Sequence, residues 1–138
     1  MISVRKQEVV KLENVLHLYQ AVGWTNYTHQ PQMLEKSLSH SLAIYLALDG
    51  EAIVGLVRLV GDGFSSVFVQ DLIVLPSHQR QGIGSALMKE ALRDFKDAYR
   101  VQLATDQTEK NLGFYRFLGF ETLSTYDCTG MIWVERKK

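Results

Sequence analysis

The sequence predicts an α/β fold built on a mixed, mostly antiparallel central sheet. Three observations lead there. Helical spacing of apolar residues gives way to strand-like runs from Leu42 onward, and a tight-turn signal stands at Asp49-Gly50. A strand-like run then leads through a glycine turn and a helical pattern into another strand-like run. Hairpins join antiparallel strands, whereas a crossover through a helix joins parallel ones and is right-handed.

Taken in order, "ISVRK" reads as a short strand. From Glu8 to Val22 the residues Val9, Leu12, Val15, Leu16, Tyr19 and Val22 follow helical spacing, and Gly23 can close that helix. "WTNYTHQP" reads as an irregular aromatic loop, and "QMLEKSLSHSL" as a helix with Pro31 near its start. "LAIYLALD" and "AIVGLVRLV" form a hairpin, "GDG" makes a second turn, and "SSVFVQDLIVLP" is a long strand ending at Pro76. After Gly82, the residues Ile83, Leu87, Met88, Ala91, Leu92 and Phe95 share one helical face. "RVQLAT" is a further strand, "EKNLGFYRFLG" a short helix ended by Gly119, and "FETLSTYD" with "GMIWVER" a closing strand pair.

Bulk properties narrow the function. The 138 residues fit a single domain covering 1–138, 46% hydrophobic and 22% charged. Fifteen basic residues balance 15 acidic ones, which argues against a nucleic-acid or membrane-surface protein. Cys128 is the only cysteine, so no intrachain disulfide is possible and a reducing compartment is expected. No apolar run approaches the roughly 18 residues of a membrane span, and "MISVRKQEVV" lacks a signal-peptide core. A soluble, cytoplasmic domain is the expectation. No pair of histidines or acids shows metal-ligand spacing, so no metal is expected.

The segment "HQRQGIGSALMKEAL" places Gly82 and Gly84 at the threshold of a helix, where each glycine costs about 1 kcal/mol relative to alanine. One reading is a plain strand-to-helix turn. The other is an anion site, in which unpaired amides and the helix dipole converge on a phosphate and Arg80 adds a guanidinium. A P-loop would need Gly-Lys-Ser/Thr where Gly84-Ser85-Ala86 stands, and a dinucleotide fingerprint needs a small residue in place of Leu87.

"DLIVLPSHQRQGIGSALM" resembles the signature segment of the GNAT superfamily of acyl-CoA-dependent N-acetyltransferases, whose Q/R-x-x-G-x-G/A pattern is filled by Gln79, Gly82 and Gly84. "NLGFYRFLGFE" is similar to that family's later segment, with Tyr115 and Gly119-Phe120 at the family's spacing. The resemblance implies a GNAT-like sheet with a splayed parallel strand pair and helices on both faces. It also implies acetyl-CoA as cofactor and coenzyme A as product. The main chain of Leu72, Ile73 and Val74 would hold the pantetheine as an added strand, and the amides of Arg80, Gln81, Gly82, Ile83, Gly84 and Ser85 would cradle the pyrophosphate. The side chains of Leu72 to Val74 remain free for the core.

The implied reaction is attack of a neutral amine on a thioester. A phenol of pKa about 10 can protonate a thiolate whose conjugate acid lies near 8.5, so Tyr115, where the family keeps a tyrosine, is the expected general acid. Phe114, Tyr115 and Leu118 share a helical face, so a core role for Tyr115 is the competing reading. Many members hold the cofactor with an asparagine where Thr108 stands; Asn111, one turn before Tyr115, is either its substitute or a solvated helix residue. The glutamate base of some members corresponds to Phe68 and Leu103, leaving Asp71 and Gln70 as candidates to direct the amine. Either could instead face solvent or pair with a basic neighbour.

Trp24, Tyr27 and His29 either wall an acceptor pocket or cap the core. The expected partner is a small-molecule or peptide amine, with a homodimer through the late strands as a further expectation. The alternative to an enzyme is a non-catalytic acyl-CoA-binding module that keeps the glycine turn but lacks a base.

Overall fold

The computed structural model describes residues 1–134. They fall into two compact units, Met1–Ala104 and a second that starts at Thr105. The first unit holds one five-stranded sheet whose strands lie in chain order: β1 (Ile2–Lys6), β2 (Ala43–Asp49), β3 (Ala52–Gly61), β4 (Val67–Val74) and β5 (Val101–Leu103). Successive pairs from β1 to β4 are antiparallel, and β4 with β5 is parallel. The parallel pair is joined through α4 (Ile83–Asp94), while α1 (Leu12–Ala21), α2 (Thr25–Thr28) and α3 (Pro31–Ser39) link β1 to β2. The sheet is mixed and mostly antiparallel, as the turn signals predict.

Strand alternation divides the core between the two faces. On one face Val15, Leu18, Leu34 and Leu38 from α1 and α3 pack with Ile44, Leu46, Leu48, Leu56 and Ile73. On the other, Ile83, Leu87, Met88 and Ala91 of α4 are buried, and the hydroxyl of Tyr45 donates to Asp94 Oδ2 at 2.7 Å. Each such aliphatic side chain contributes about 1.5–3 kcal/mol on burial. Gly55 makes the close approach of α4 possible. A Cβ there would lie 3.0 Å from the carbonyl oxygen of Ile73 and 3.2 Å from Leu87 Cδ1.

The pairing of β3 with β4 slips by one residue midway. Arg58 opposes Asp71 and Leu59 opposes Val69, so Gln70 is an extra residue, a β-bulge. Pairing of β4 with β5 covers only Val67 to Val69. The parallel pair therefore parts at the bulge. Beyond it, β4 runs on to Val74 with no strand on its outer edge among the described residues.

Three expectations about elements are corrected. The first helix begins at Leu12 rather than Glu8, and Val9 is exposed. The aromatic "WTNYTHQP" segment contains a turn of helix, α2, where an irregular loop is expected. The closing strand pair is absent among the described residues: Leu123–Tyr126 is a 3-10 turn, and residues 127–134 have no regular secondary structure. Alternating apolar residues specify a strand's faces but not its partner. Glu135 and Arg136, the end of the expected last strand, lie outside the described residues.

Candidate functional site

The outer edge of β4 follows from hydrogen-bond parity. The amide of Leu75 donates to the carbonyl of Val54 on β3 at 2.9 Å. Alternation then turns the main-chain groups of Ile73 toward β3 as well, and those of Leu72 and Val74 to the open edge. This amends the expectation for the three residues: Leu72 and Val74 offer free main-chain groups, while those of Ile73 are committed to the sheet. The carbonyl of Val74 is already engaged, accepting from Gln79 Nε2 at 3.0 Å. The edge thus exposes both groups of Leu72 and the amide of Val74.

The chain passes from β4 through a 3-10 turn at Pro76–His78 into the exposed residues Gln79 to Gly82. Gly82 is the N-cap of α4 with φ of 79°, and space around it is open, with nothing within 4 Å of a Cβ built there. Having no side chain, it cannot cap the helix. Ala86 is the residue whose amide returns to Gly82, at 3.0 Å. The amides of Ile83, Gly84 and Ser85 precede that first helical bond and have no intrahelical acceptor. They point along the helix axis, where the dipole favours an anion. Arg80 is exposed, and its φ of 65° is unusual for a residue with a side chain.

Behind the bulge lies a buried polar hub that the sequence reading misses. Asp71 is 2% exposed, and its carboxylate accepts from Arg58 Nε at 2.7 Å, from Tyr19 at 2.8 Å and from Tyr27 at 2.8 Å. Arg58 also reaches the hydroxyls of Ser41 at 3.3 Å and Tyr27 at 3.2 Å. Burial, and then the Asp71 charge, push the phenols of Tyr19 and Tyr27 upward. For Arg58 burial opposes the charge, but Asp71 and the two phenols outweigh it and raise its pKa. No buried side-chain nitrogen or oxygen among the described residues lacks a partner. One signal was available: Arg58 is the lone charge in the apolar run "AIVGLVRLV".

The hub revises two expected substrate contacts. Asp71 pairs with a basic neighbour instead of meeting an amine, and Tyr27 is buried with its hydroxyl committed to Asp71. Trp24 is half-buried, with its ring 6.1 Å from that of Tyr19 and 6.3 Å from that of Tyr27. His29 is exposed. Phe68 and Leu103 lie on the paired ends of β4 and β5, so no carboxylate stands there.

The second unit carries α5 (Glu109–Phe117). Thr108 caps it, its hydroxyl accepting from the amide of Asn111 at 3.1 Å. That local role accounts for a threonine at the position. Within this unit the Tyr115 ring packs against Phe114 and Phe120 at 5.0 and 5.9 Å, and burial pushes its phenol up from the ordinary value.

A family model described as the acetyltransferase (GNAT) family matches residues 9–120. This chain belongs to the GNAT acetyltransferases. Among solved structures, a GNAT family acetyltransferase from Streptococcus pneumoniae TIGR4 is 77% identical, with 99% of each chain covered and a TM-score of 0.92. Serotonin N-acetyltransferase 2, chloroplastic, of Oryza sativa subsp. japonica is 32% identical over 95 residues, 66% of this chain and 48% of that protein. This acetyltransferase therefore spans about half the length of the rice relative. GCN5-related N-acetyltransferase 1, chloroplastic, of Arabidopsis thaliana is 29% identical over 138 residues, 97% of this chain and 68% of the relative. The GNAT fold follows from this membership. No helix among the described residues is long and apolar enough to cross a membrane, and no group of three or more His, Cys, Asp or Glu among them could hold a metal ion.

Proposed function

We propose that this GNAT acetyltransferase transfers an acetyl group from acetyl-CoA directly to a primary amine. The observation that carries the reading is the continuity of the free β4 edge at Leu72 and Val74 with the unpaired amides of Ile83, Gly84 and Ser85. An arm of secondary amides fits the first as an added strand, and a diphosphate fits the second. The open space at Gly82 lets the anion reach the main chain, with Arg80 and Gln81 beside it. Asn111 is a further candidate contact for the donor.

Bound acetyl-CoA supplies an activated acetyl thioester. The chain's residues hold its arm at β4 and its diphosphate at α4. Tyr115, the acid that the family resemblance nominates, would give its proton to the leaving thiolate and regain one from solvent, while the attacking amine would give one up to solvent as the acetyl group passes to nitrogen. A phenol whose pKa is raised keeps its proton at neutral pH, as this role requires. Trp24 is the residue of the aromatic pair left to wall the acceptor, since Tyr27 is buried. An amine on an aromatic body, as in the rice relative's name, is the class to test first.

Calorimetry with coenzyme A and acetyl-CoA, followed by thiol release with an amine panel that includes serotonin, tests the reading. Saturable binding with amine-dependent thiol release is expected. Binding without release for any amine would leave an acyl-CoA-binding module, a reading favoured by the absence of a carboxylate at Phe68 and Leu103. Association of two copies through the exposed apolar residues Met131 and Ile132 is the partner reading. Sedimentation equilibrium of the chain and of Ile132→Lys tests it.

A further inference from the structure

Gln70 occupies an unusual position. It is the bulge residue of β4, exposed, and it follows directly on Val69, the last residue paired with β5. It therefore stands where the two parallel strands part. Its Nε2 makes a long contact of 3.5 Å to the hydroxyl of Tyr27.

The hub dictates which way round that carboxamide sits. A tyrosine hydroxyl has one proton, and the proton of Tyr27 is committed to Asp71 Oδ1, a carboxylate oxygen that can only accept. Toward Gln70 the hydroxyl can then only accept, so the NH2 group must face it and Oε1 is turned away. The chain of groups Arg58, Asp71, Tyr27 and Gln70 thus runs from a buried cation to an exposed carboxamide whose Oε1 is not engaged by Tyr27.

We propose that Gln70 positions the acceptor, its Oε1 receiving an N–H of the incoming amine at the mouth of the split between β4 and β5. The proposal rests on the acetyltransferase reading above and adds the residue that orients its second substrate. A neutral acceptor suits the task. A carboxylate would favour the ammonium form, which has no lone pair to attack with, whereas an amide oxygen holds one N–H and leaves the lone pair free. Tyr27 and Asp71 act through Gln70 as positioning residues.

Two analogues test this without knowledge of the natural amine. In one, coenzyme A carries S–CH2–CO–NH–CH3, whose N–H stands in for that of the acceptor. In the other it carries the ester S–CH2–CO–O–CH3, which has none. Wild type should bind the amide about three- to tenfold more tightly than the ester, the worth of one hydrogen bond. Gln70→Met should bind both alike with affinity for coenzyme A unchanged, and Gln70→Glu, which keeps an acceptor, should retain the preference. Tyr27→Phe, which frees the carboxamide to flip, should reduce it. Equal binding of amide and ester by wild type, or a preference that survives in Gln70→Met, overturns the proposal. Coenzyme A is run alongside: if it binds and the analogues do not differ, only the role of Gln70 falls. If it fails to bind, the donor reading falls and this one with it.

Discussion

Arg58 and Asp71 face each other across β3 and β4, Nε to Oδ2 at 2.7 Å, with side chains 5% and 2% exposed. Removing one partner strands a charge in the core, which typically costs about 3–5 kcal/mol. Asp71→Asn and Arg58→Met should each lower the melting temperature by about 10 °C or more. The double variant Arg58→Met/Asp71→Asn should lose less than the sum of the two single losses, since neither charge is then left alone. Melting curves of the three variants decide this, and additive losses would mean that the pair contributes no coupling.

Gly82 and Gly84 separate conformation from ligand contact. Gly82→Ala meets no atom but must hold φ at 79°, so it should cost about 1–2 kcal/mol of stability. Gly84→Asp adds a negative charge beside the amides of the first turn of α4. It should abolish measurable binding of coenzyme A in calorimetry, and unaltered binding would remove that helix end from the donor site.

Tyr115→Phe deletes the phenol and keeps the ring packing against Phe114 and Phe120. Turnover should fall about 100-fold or more with affinity for acetyl-CoA nearly unchanged. Because burial raises the phenol's pKa, its protonated form persists to higher pH than that of a free tyrosine. The wild-type rate should therefore rise as the acceptor amine deprotonates and show no alkaline fall below about pH 10. A fall near pH 8 would identify a different acid.

Asp62 caps the turn between β3 and β4. The hydroxyl of Ser65 and the amides of Phe64, Ser66 and Ser65 hold its carboxyl well below the usual range. A depressed folded-state pKa contributes stability that is present above the unfolded value of about 4 and is lost as pH falls below it. Wild type should exceed Asp62→Ala in urea midpoint at pH 7, and the gap should close steadily below pH 4. A constant gap from pH 7 to 2.5 would assign the turn's stability to other groups.

Much of the frame is legible in the sequence because it rests on local rules. Asp49-Gly50 marks the hairpin, and the spacing from Ile83 to Ala91 marks α4 and its buried face. The site's finer features depend on partners distant in sequence. Gln70 looks like any strand residue until the register of β3 makes it a bulge, and Asp71 meets Tyr19 across 52 positions. The four residues of α2 have modest helix propensity, and Tyr27 ties them to Asp71. Alternation in "GMIWV" suggests a strand, but residues 131–134 have no regular secondary structure.

The hydrogen bond from Gln79 to the carbonyl of Val74 fixes a stopping point. An added strand meets free main-chain groups between the bulge at Gln70 and that closed carbonyl, and four residue steps there span about 13 Å. The edge is a ruler. With a diphosphate anchored at α4, a thioester reaches Gln70 only if its arm has the matching length, so the enzyme would select acyl donors by reach as well as by head group. A thioester on a shorter arm would dock at the helix and stop short of the amine.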